Sequence, residues 1–262
     1  MRKTLTFGFS TLSNRVGNIT FPPLRADREV LVIIQNPEDR TWTGKDLSEI
    51  AMREDVEIVE LTSLGVAKSR NAAIDRAQGK YLIFSDDDIQ FVEQGLEEAI
   101  EYLEQHPKID LVLGAAINEK GEKRKRYPSE IGPLTKFNSA KAATYEMLIR
   151  VDAIRNKGIR FDENFGAGAT NYLGDEFIFI ADLIDAGGKG VSHPAVLAIH
   201  PEESSGSRWG SARDFNARLA IFDRVFGKGA FLIRLGFALR RTKELGSIAN
   251  AIRFAIGKPR DL

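Results

Sequence analysis

The chain has 262 residues, 37 basic and 37 acidic side chains, and no cysteine. That length suits one large α/β domain or two small ones, and the balanced charge gives no reason to expect a nucleic-acid partner. Disulfides, thiolate metal sites and thiol catalysis are excluded, and no apolar run reaches the length of a membrane span.

Met1-Arg2-Lys3 precedes an apolar stretch too short and too rich in Thr and Gly for a signal segment, so residues 4–10 are expected to form a first strand. Residues 30–34, 56–61 and 81–84 are similar short apolar runs, each followed by polar or helical sequence. Residues 90–106 predict an amphipathic helix with Val92, Leu96, Ile100 and Leu103 on one face and Pro107 after its end. Residues 109–117 predict another strand. The basic run at 118–127 (Lys120, Lys123, Arg124, Lys125, Arg126) predicts a turn between hairpin strands or a loop. A strand over 144–151, a helical turn over 152–157, a second amphipathic helix within 174–187 and a strand over 190–199 follow. From Ser211 onward the pattern is helical. Strands alternating with helices imply an α/β fold with a mainly parallel, doubly wound sheet.

The run at 81–84 stops on Asp86-Asp87-Asp88, and open α/β sheets bind ligands at the carboxyl ends of their strands. Strand alternation would turn Asp86 and Asp88 to one side, towards a shared divalent metal, and Asp87 to the other. An isolated Asp-Asp-Asp is more simply a solvated turn; the preceding residues change that. Gly65 to Gly79 contains Val66, Ala67, Arg70, Asn71, Ala73, Ile74 and Ala77 near a helical period, and Tyr81 follows.

This block resembles the nucleotide-sugar half of family 2 glycosyltransferases of GT-A fold, bacterial type, whose pattern is approximately G-x-x-x-x-R-N-x-G/A-x-x-x-A-x-G-x-Y followed by D-x-D. Arg70-Asn71, Gly79, Tyr81, Asp86 and Asp88 fall in register. The resemblance implies a GT-A domain over residues 1–204 and leaves 205–262 as a basic helical extension. It also implies that Arg70, Asn71, Asp86 and Asp87 border the nucleotide. Phe9-Ser10-Thr11-Leu12-Ser13-Asn14-Arg15 resembles the family's first strand and T-x-N-R loop, so Thr11, Asn14 and Arg15 are expected there too. The next station departs from the family. An expected base-binding aspartate is replaced by Gln35-Asn36, either of which offers an amide to a base edge.

In the second half, Phe161-Asp162-Glu163-Asn164-Phe165-Gly166-Ala167-Gly168 leads to Gly174-Asp175-Glu176. The family has a similar F-D-E-x-F-x-x-G and then G-E-D, whose second acid takes the proton from the acceptor hydroxyl. Here the acids are reversed. Register makes Glu176 the candidate base and Asp175 the runner-up. Acids stabilised at a helix N-terminus are the alternative. His200 closes a strand before Pro201, and the resemblance makes it a further metal ligand beside Asp86 and Asp88. An imidazole among carboxylates suits Mn²⁺ better than Mg²⁺.

The expected activity is inverting transfer of a sugar from a nucleoside-diphosphate sugar to a sugar, glycan or lipid-linked acceptor, in cell-surface polysaccharide or glycolipid synthesis. The expected setting is cytoplasmic, and the cofactor a divalent metal, Mn or Mg. Two competing readings are a nucleotidyltransferase and a non-catalytic nucleotide-sugar-binding or assembly protein of the same fold. The first expects a Gly-rich phosphate loop after strand one, which residues 11–17 match poorly. The reversed acids and the missing aspartate speak for the second.

The charge balance conceals an asymmetry. Residues 205–262 hold twelve Lys and Arg against four Asp and Glu, about +8, leaving about −8 for the rest. Phe226, Phe231, Leu232, Leu235, Phe237, Ala238 and Leu239 beside Lys228, Arg234, Arg240 and Arg241 form either a peripheral contact to the inner membrane face or a helix packed on the catalytic domain.

Overall fold

The computed structural model describes residues 3–35, 52–201 and 210–261. Among these, the strands β1 (Leu5–Leu12), β2 (Arg28–Gln35), β3 (Val56–Leu61), β4 (Tyr81–Asp86), β5 (Gln90–Phe91), β6 (Leu111–Ile117), β7 (Gly132–Pro133), β8 (Met147–Arg150) and β9 (Gly190–Ile199) form one sheet. Its order is β3-β2-β1-β4-β8-β6-β9-β5, with β7 on β9. The first four strands of that order are parallel, as are β6 and β9. β8 runs antiparallel to both β4 and β6, so the sheet is mixed where the sequence suggests mainly parallel pairing. The run at 144–151 yields only four strand residues. Thr144–Glu146 is a 3-10 turn and Val151 already starts a helix.

The helices are α1 (Val66–Arg76), α2 (Glu93–Gln105), α3 (Val151–Asn156), α4 (Asp175–Asp185), α5 (Ala212–Phe226), α6 (Ala230–Arg240) and α7 (Ile248–Ala255). Both sheet faces are covered, so β1, β2 and β4 are buried at nearly every position, including polar ones such as Thr6, Glu29 and Ser85. Leu31, Ile33, Leu82 and Phe84 face a core with Ile74 of α1 and Phe179 of α4. Their neighbours Val30, Val32, Ile34, Tyr81 and Ile83 face the other core, with Leu96, Ala99 and Leu103 of α2. Each such buried Leu, Ile or Phe contributes about 1.5–3 kcal/mol.

Chain direction matters most at β1. β2 lies on one side of it and β4 on the other, so the strand order reverses there. A reversal of this kind opens a crevice at the carboxyl ends of the strands. Ser10 is paired with Asp86 and Leu12 with Gln35, so residues after β1, β2 and β4 arrive at one edge.

The C-terminal helices have a core of their own, with Phe215, Leu219, Ala238, Leu245 and Phe254. α5 starts with a reciprocal cap: Ser211 Oγ accepts from the Asp214 amide at 3.0 Å, and the Ser211 amide donates to Asp214 at 3.2 Å. The same helix docks on α4, with Ile221 and Val225 against Phe177 and Ile178. The tail is therefore packed on the body. The expected division at 204/205 lies outside the described residues.

Candidate active site

One guanidinium organises the crevice. Arg70, on the buried face of α1, is ion-paired with Asp175 and lies 3.5 Å from Asp86 Oδ1 and 3.6 Å from Glu176 Oε1. Acids from the end of β4 and the start of α4 thus meet around a single cation. Burial opposes charge on Arg70, but Asp175, Asp86 and Glu176 outweigh it and raise its pKa. Phe161 closes the site from beneath, its ring 5.6 Å from the guanidinium carbon.

Asp175 and Glu176 occupy the first turn of α4, where the helix dipole favours negative charge. Their environments differ. The Asp175 side chain is 4% exposed and is held by Arg70, whereas that of Glu176 is 21% exposed. Gly166 packs against Asp175; a Cβ there would lie 2.8 Å from the carboxyl carbon, and its φ of +93° also favours glycine. Burial, then the neighbouring Asp175 charge, push the Glu176 carboxyl up to about 8, with Arg70 pulling the other way. A carboxylate with that affinity is matched to taking a proton near neutral pH.

The three consecutive aspartates do not follow strand alternation, because β4 ends at Asp86 and the next two residues turn. Asp87 is buried. Thr11 Oγ1 donates to it at 2.9 Å, and Arg15 pairs with it. Burial raises its pKa, with Thr11 and Arg15 opposing. Asp87, expected on the side opposite Asp86 and Asp88, ties the loop after β1 to the end of β4. Asp86 is likewise raised by burial, moderated by Arg70. Asp88 is the open member, 39% exposed at its side chain, with Arg15 Nη2 and His200 Nε2 each 4.0 Å from its oxygens.

His200 is buried beside Tyr145, ring centroids 4.9 Å apart. Its Nδ1 lies 2.6 Å from the Pro201 carbonyl, an acceptor, so Nδ1 carries the proton. In the neutral ring this leaves the Nε2 lone pair towards Asp88, the tautomer a metal ligand requires. No group of three or more acids or histidines is gathered in metal-binding geometry among the described residues. Asp88 and His200 fit a divalent cation as a pair of donors that a bound diphosphate would complete. Asp86 instead faces Arg70.

Other expected residues have mainly internal duties. Asn71 is clamped on the Phe161 backbone, donating to its carbonyl at 3.0 Å and accepting from its amide at 2.8 Å. Both ends of its amide are thus engaged in holding the Phe161 backbone against α1. Gln35 Oε1 accepts from the Gly65 amide at 2.6 Å, fixing the entry to α1. Asn14 is exposed on the 3-10 turn after β1, and Asn36 lies outside the described residues.

Two contributors escaped the sequence reading. Arg124, within the basic run, donates to the carbonyls of His200 (2.9 Å) and Pro201. Tyr145 sits in the 3-10 turn before β8. Burial and Glu146 hold its phenol protonated, with Asp86 and Glu176 also among the charges acting on it. The basic run was a signal for Arg124. Tyr145 belongs to no motif.

Comparison with known proteins bears on the family and the fold. The model of the glycosyl transferase family 2 matches residues 20–169. The crystal structure of S. aureus TarS 1–349 in complex with UDP-GlcNAc superposes with a TM-score of 0.64 at 15% identity, covering 95% of this chain and 75% of that one. A second crystal structure of S. aureus TarS gives 0.61 at 15% identity, covering 94% of this chain and 44% of that one. These likenesses show a shared GT-A fold. A search of curated protein sequences returned no match.

Proposed function

The chain belongs to glycosyl transferase family 2, and on that premise we propose that it transfers a sugar from a nucleoside-diphosphate donor to an acceptor hydroxyl with inversion. The observation that carries this reading is the convergence of Asp86, Asp175 and Glu176 on Arg70 at the carboxyl edge of the sheet. A nucleotide lying over β1 and β4 would meet Thr11, Arg15 and the aspartates, with Gln35 near the base.

In the proposed reaction Glu176 accepts the proton of the acceptor hydroxyl. The hydroxyl oxygen bonds to the anomeric carbon as the bond from that carbon to the diphosphate oxygen breaks, and the electron pair leaves with the diphosphate. A single displacement of this kind inverts the anomeric centre. Asp175 positions the base: its ion pair with Arg70 fixes the first turn of α4 and leaves the longer, more open Glu176 to reach the acceptor. This supports the reversed order of the acids as a working arrangement. Arg70 also limits how far the carboxylate cluster repels the incoming diphosphate. A divalent metal held by Asp88 and His200 would supply Lewis-acid neutralisation of the leaving diphosphate. The proposed acceptor is a glycan or lipid-linked hydroxyl met from the cytoplasmic side.

UDP-GlcNAc, the ligand of the similar TarS structure, is the first donor to test. Nucleotide release from a panel of donors is measured with Mn²⁺, with Mg²⁺ and with chelator. Metal-stimulated release that collapses in Glu176→Gln is expected. Donor-induced thermal stabilisation without turnover for any donor would instead identify a binding protein.

A further inference from the structure

α6 and α7 each turn an apolar stripe to solvent. On α6, Phe231, Leu235 and Leu239 recur every four residues with Leu232 beside them, and Leu232 and Leu239 are 70% and 74% exposed. Ile248, Ile252 and Ile256 repeat that spacing along α7 and its end, at 72%, 58% and 57%. Neither stripe serves the tail's core, which is filled from the opposite faces by Ala238, Ala251, Phe254 and Ala255. Single exposed apolar side chains are ordinary; two periodic stripes on consecutive helices mark a contact surface.

Basic side chains outnumber acidic ones beside the stripes. Lys228, Arg240, Lys243 and Lys258 are exposed. Glu244 is tied to Arg241, and Asp223 to the buried Arg234. Arg234 is thereby removed from the basic surface that the sequence suggests. A second copy docked on the same face through a two-fold axis would bring two basic rims together. An anionic bilayer would neutralise them. No helix among the described residues is long and apolar enough to cross a membrane, so contact would be in the plane of the surface.

We propose that α6 and α7 form an interfacial docking surface for an anionic phospholipid bilayer, with the two stripes entering the headgroup region and the four exposed cations meeting lipid charge. The tail also touches the loop that leads to the candidate base: Arg213, on α5, covers the ring of Tyr172 at 4.8 Å, in the loop before Gly174. Docking would hold that loop and Glu176 at a set distance from the lipid. The surface stands independently of the sugar-transfer reading.

The test is flotation of the intact 262-residue chain with vesicles of phosphatidylglycerol and phosphatidylcholine in equal parts, and with pure phosphatidylcholine vesicles. Binding to the anionic vesicles that weakens with salt is expected. Leu239→Glu combined with Ile252→Glu should reduce binding by at least roughly tenfold, since charge is expelled from the interface, while thermal midpoint and circular dichroism stay unchanged. Arg240→Ser with Lys243→Ser should weaken binding by roughly fivefold per cation, with the stripes intact. No binding at low salt overturns the proposal. So does a doubly charged variant that folds and binds like wild type, or a concentration-dependent dimer that the stripe substitutions dissolve in a protein that ignores vesicles.

Discussion

Arg70 and Asp175, 105 residues apart in the chain, form an ion pair whose two side chains are only 5% and 4% exposed. The pair joins α1 to α4 and lets the acids of two separate motifs share one site. Its energetic character is that of a buried pair, in which loss of one partner costs more than the pair itself contributes.

Removing one partner should therefore destabilise the fold severely. Arg70→Met leaves Asp175 buried without its cation and is expected to cost about 3–5 kcal/mol in urea unfolding. Arg70→Met with Asp175→Leu should recover much of that loss. Near-neutral single variants would show that the two side chains are solvated in solution.

The two acids of α4 should separate by phenotype. Glu176→Gln is expected to lower turnover by roughly 10² to 10⁴ with donor affinity and fold nearly intact. Asp175→Asn should lose thermal stability first, and activity as a consequence. If Asp175→Asn instead keeps its stability while losing turnover, the base has been assigned to the wrong residue.

The raised pKa of Glu176 has opposite signs for activity and stability. As a base it works only when ionised, so kcat/KM should rise with pH through about 8. For stability, the folded protein holds the Glu176 proton where the unfolded chain, with an ordinary value of 4.5, has released it. Its contribution is fully present below 4.5 and is lost as pH rises to about 8. Glu176→Gln should flatten that part of the stability profile. A kcat/KM profile level between pH 6 and 9 would count against Glu176 as the base.

Neighbouring aspartates should differ in a way strand alternation does not suggest. Asp87→Ala removes the acceptor of Thr11 and Arg15 and should weaken donor binding and thermal stability together. The loss of a buried hydrogen-bonded carboxylate is expected to cost about 1–3 kcal/mol. Asp88→Ala, at an open position, should leave stability unchanged and abolish metal-dependent donor binding in calorimetry. Equal stability of the two variants would contradict the structure.

Gly95 offers a test of packing. In a free helix, Gly→Ala gains about 1 kcal/mol. Here a Cβ would run into the Val196 carbonyl of β9, a backbone atom with little room to move. Overpacking of that sort costs about 1–3 kcal/mol, so Gly95→Ala should be net destabilising in thermal melts. A rise in midpoint would mean α2 is free to shift off the sheet.

Most of the fold was legible because local pattern and burial agree. Apolar runs at 30–34 and 81–84 are strands covered on both faces, 56–61 is the half-buried edge strand, and the 3.6-residue period survives in α2 from Glu93, residues 90–91 pairing instead as β5. Resemblance over 65–89 identified Arg70 and the aspartates as one block. The direction of β8 was not legible, since an apolar run looks alike in either direction and only its partners β4 and β6 settle it. Tyr145 was invisible for a similar reason: its role comes from a ring contact with His200, 55 residues later, and from no local spacing.

By itself the sequence determined the α/β class, the family block and the acids available for chemistry, because these depend on residue type and short-range period. Tertiary structure alone decided how those acids are used. Asp87 became an internal tie because β4 ends one residue before it and Thr11 arrives from β1 and Arg15 from the 3-10 turn after it. Asp175 became the buried partner and Glu176 the open one because Arg70 lies below the first turn of α4. Adjacent carboxylates are nearly equivalent in a chain. They acquire different proton affinities and different reach only when folding gives each its own degree of burial and its own distance from a cation.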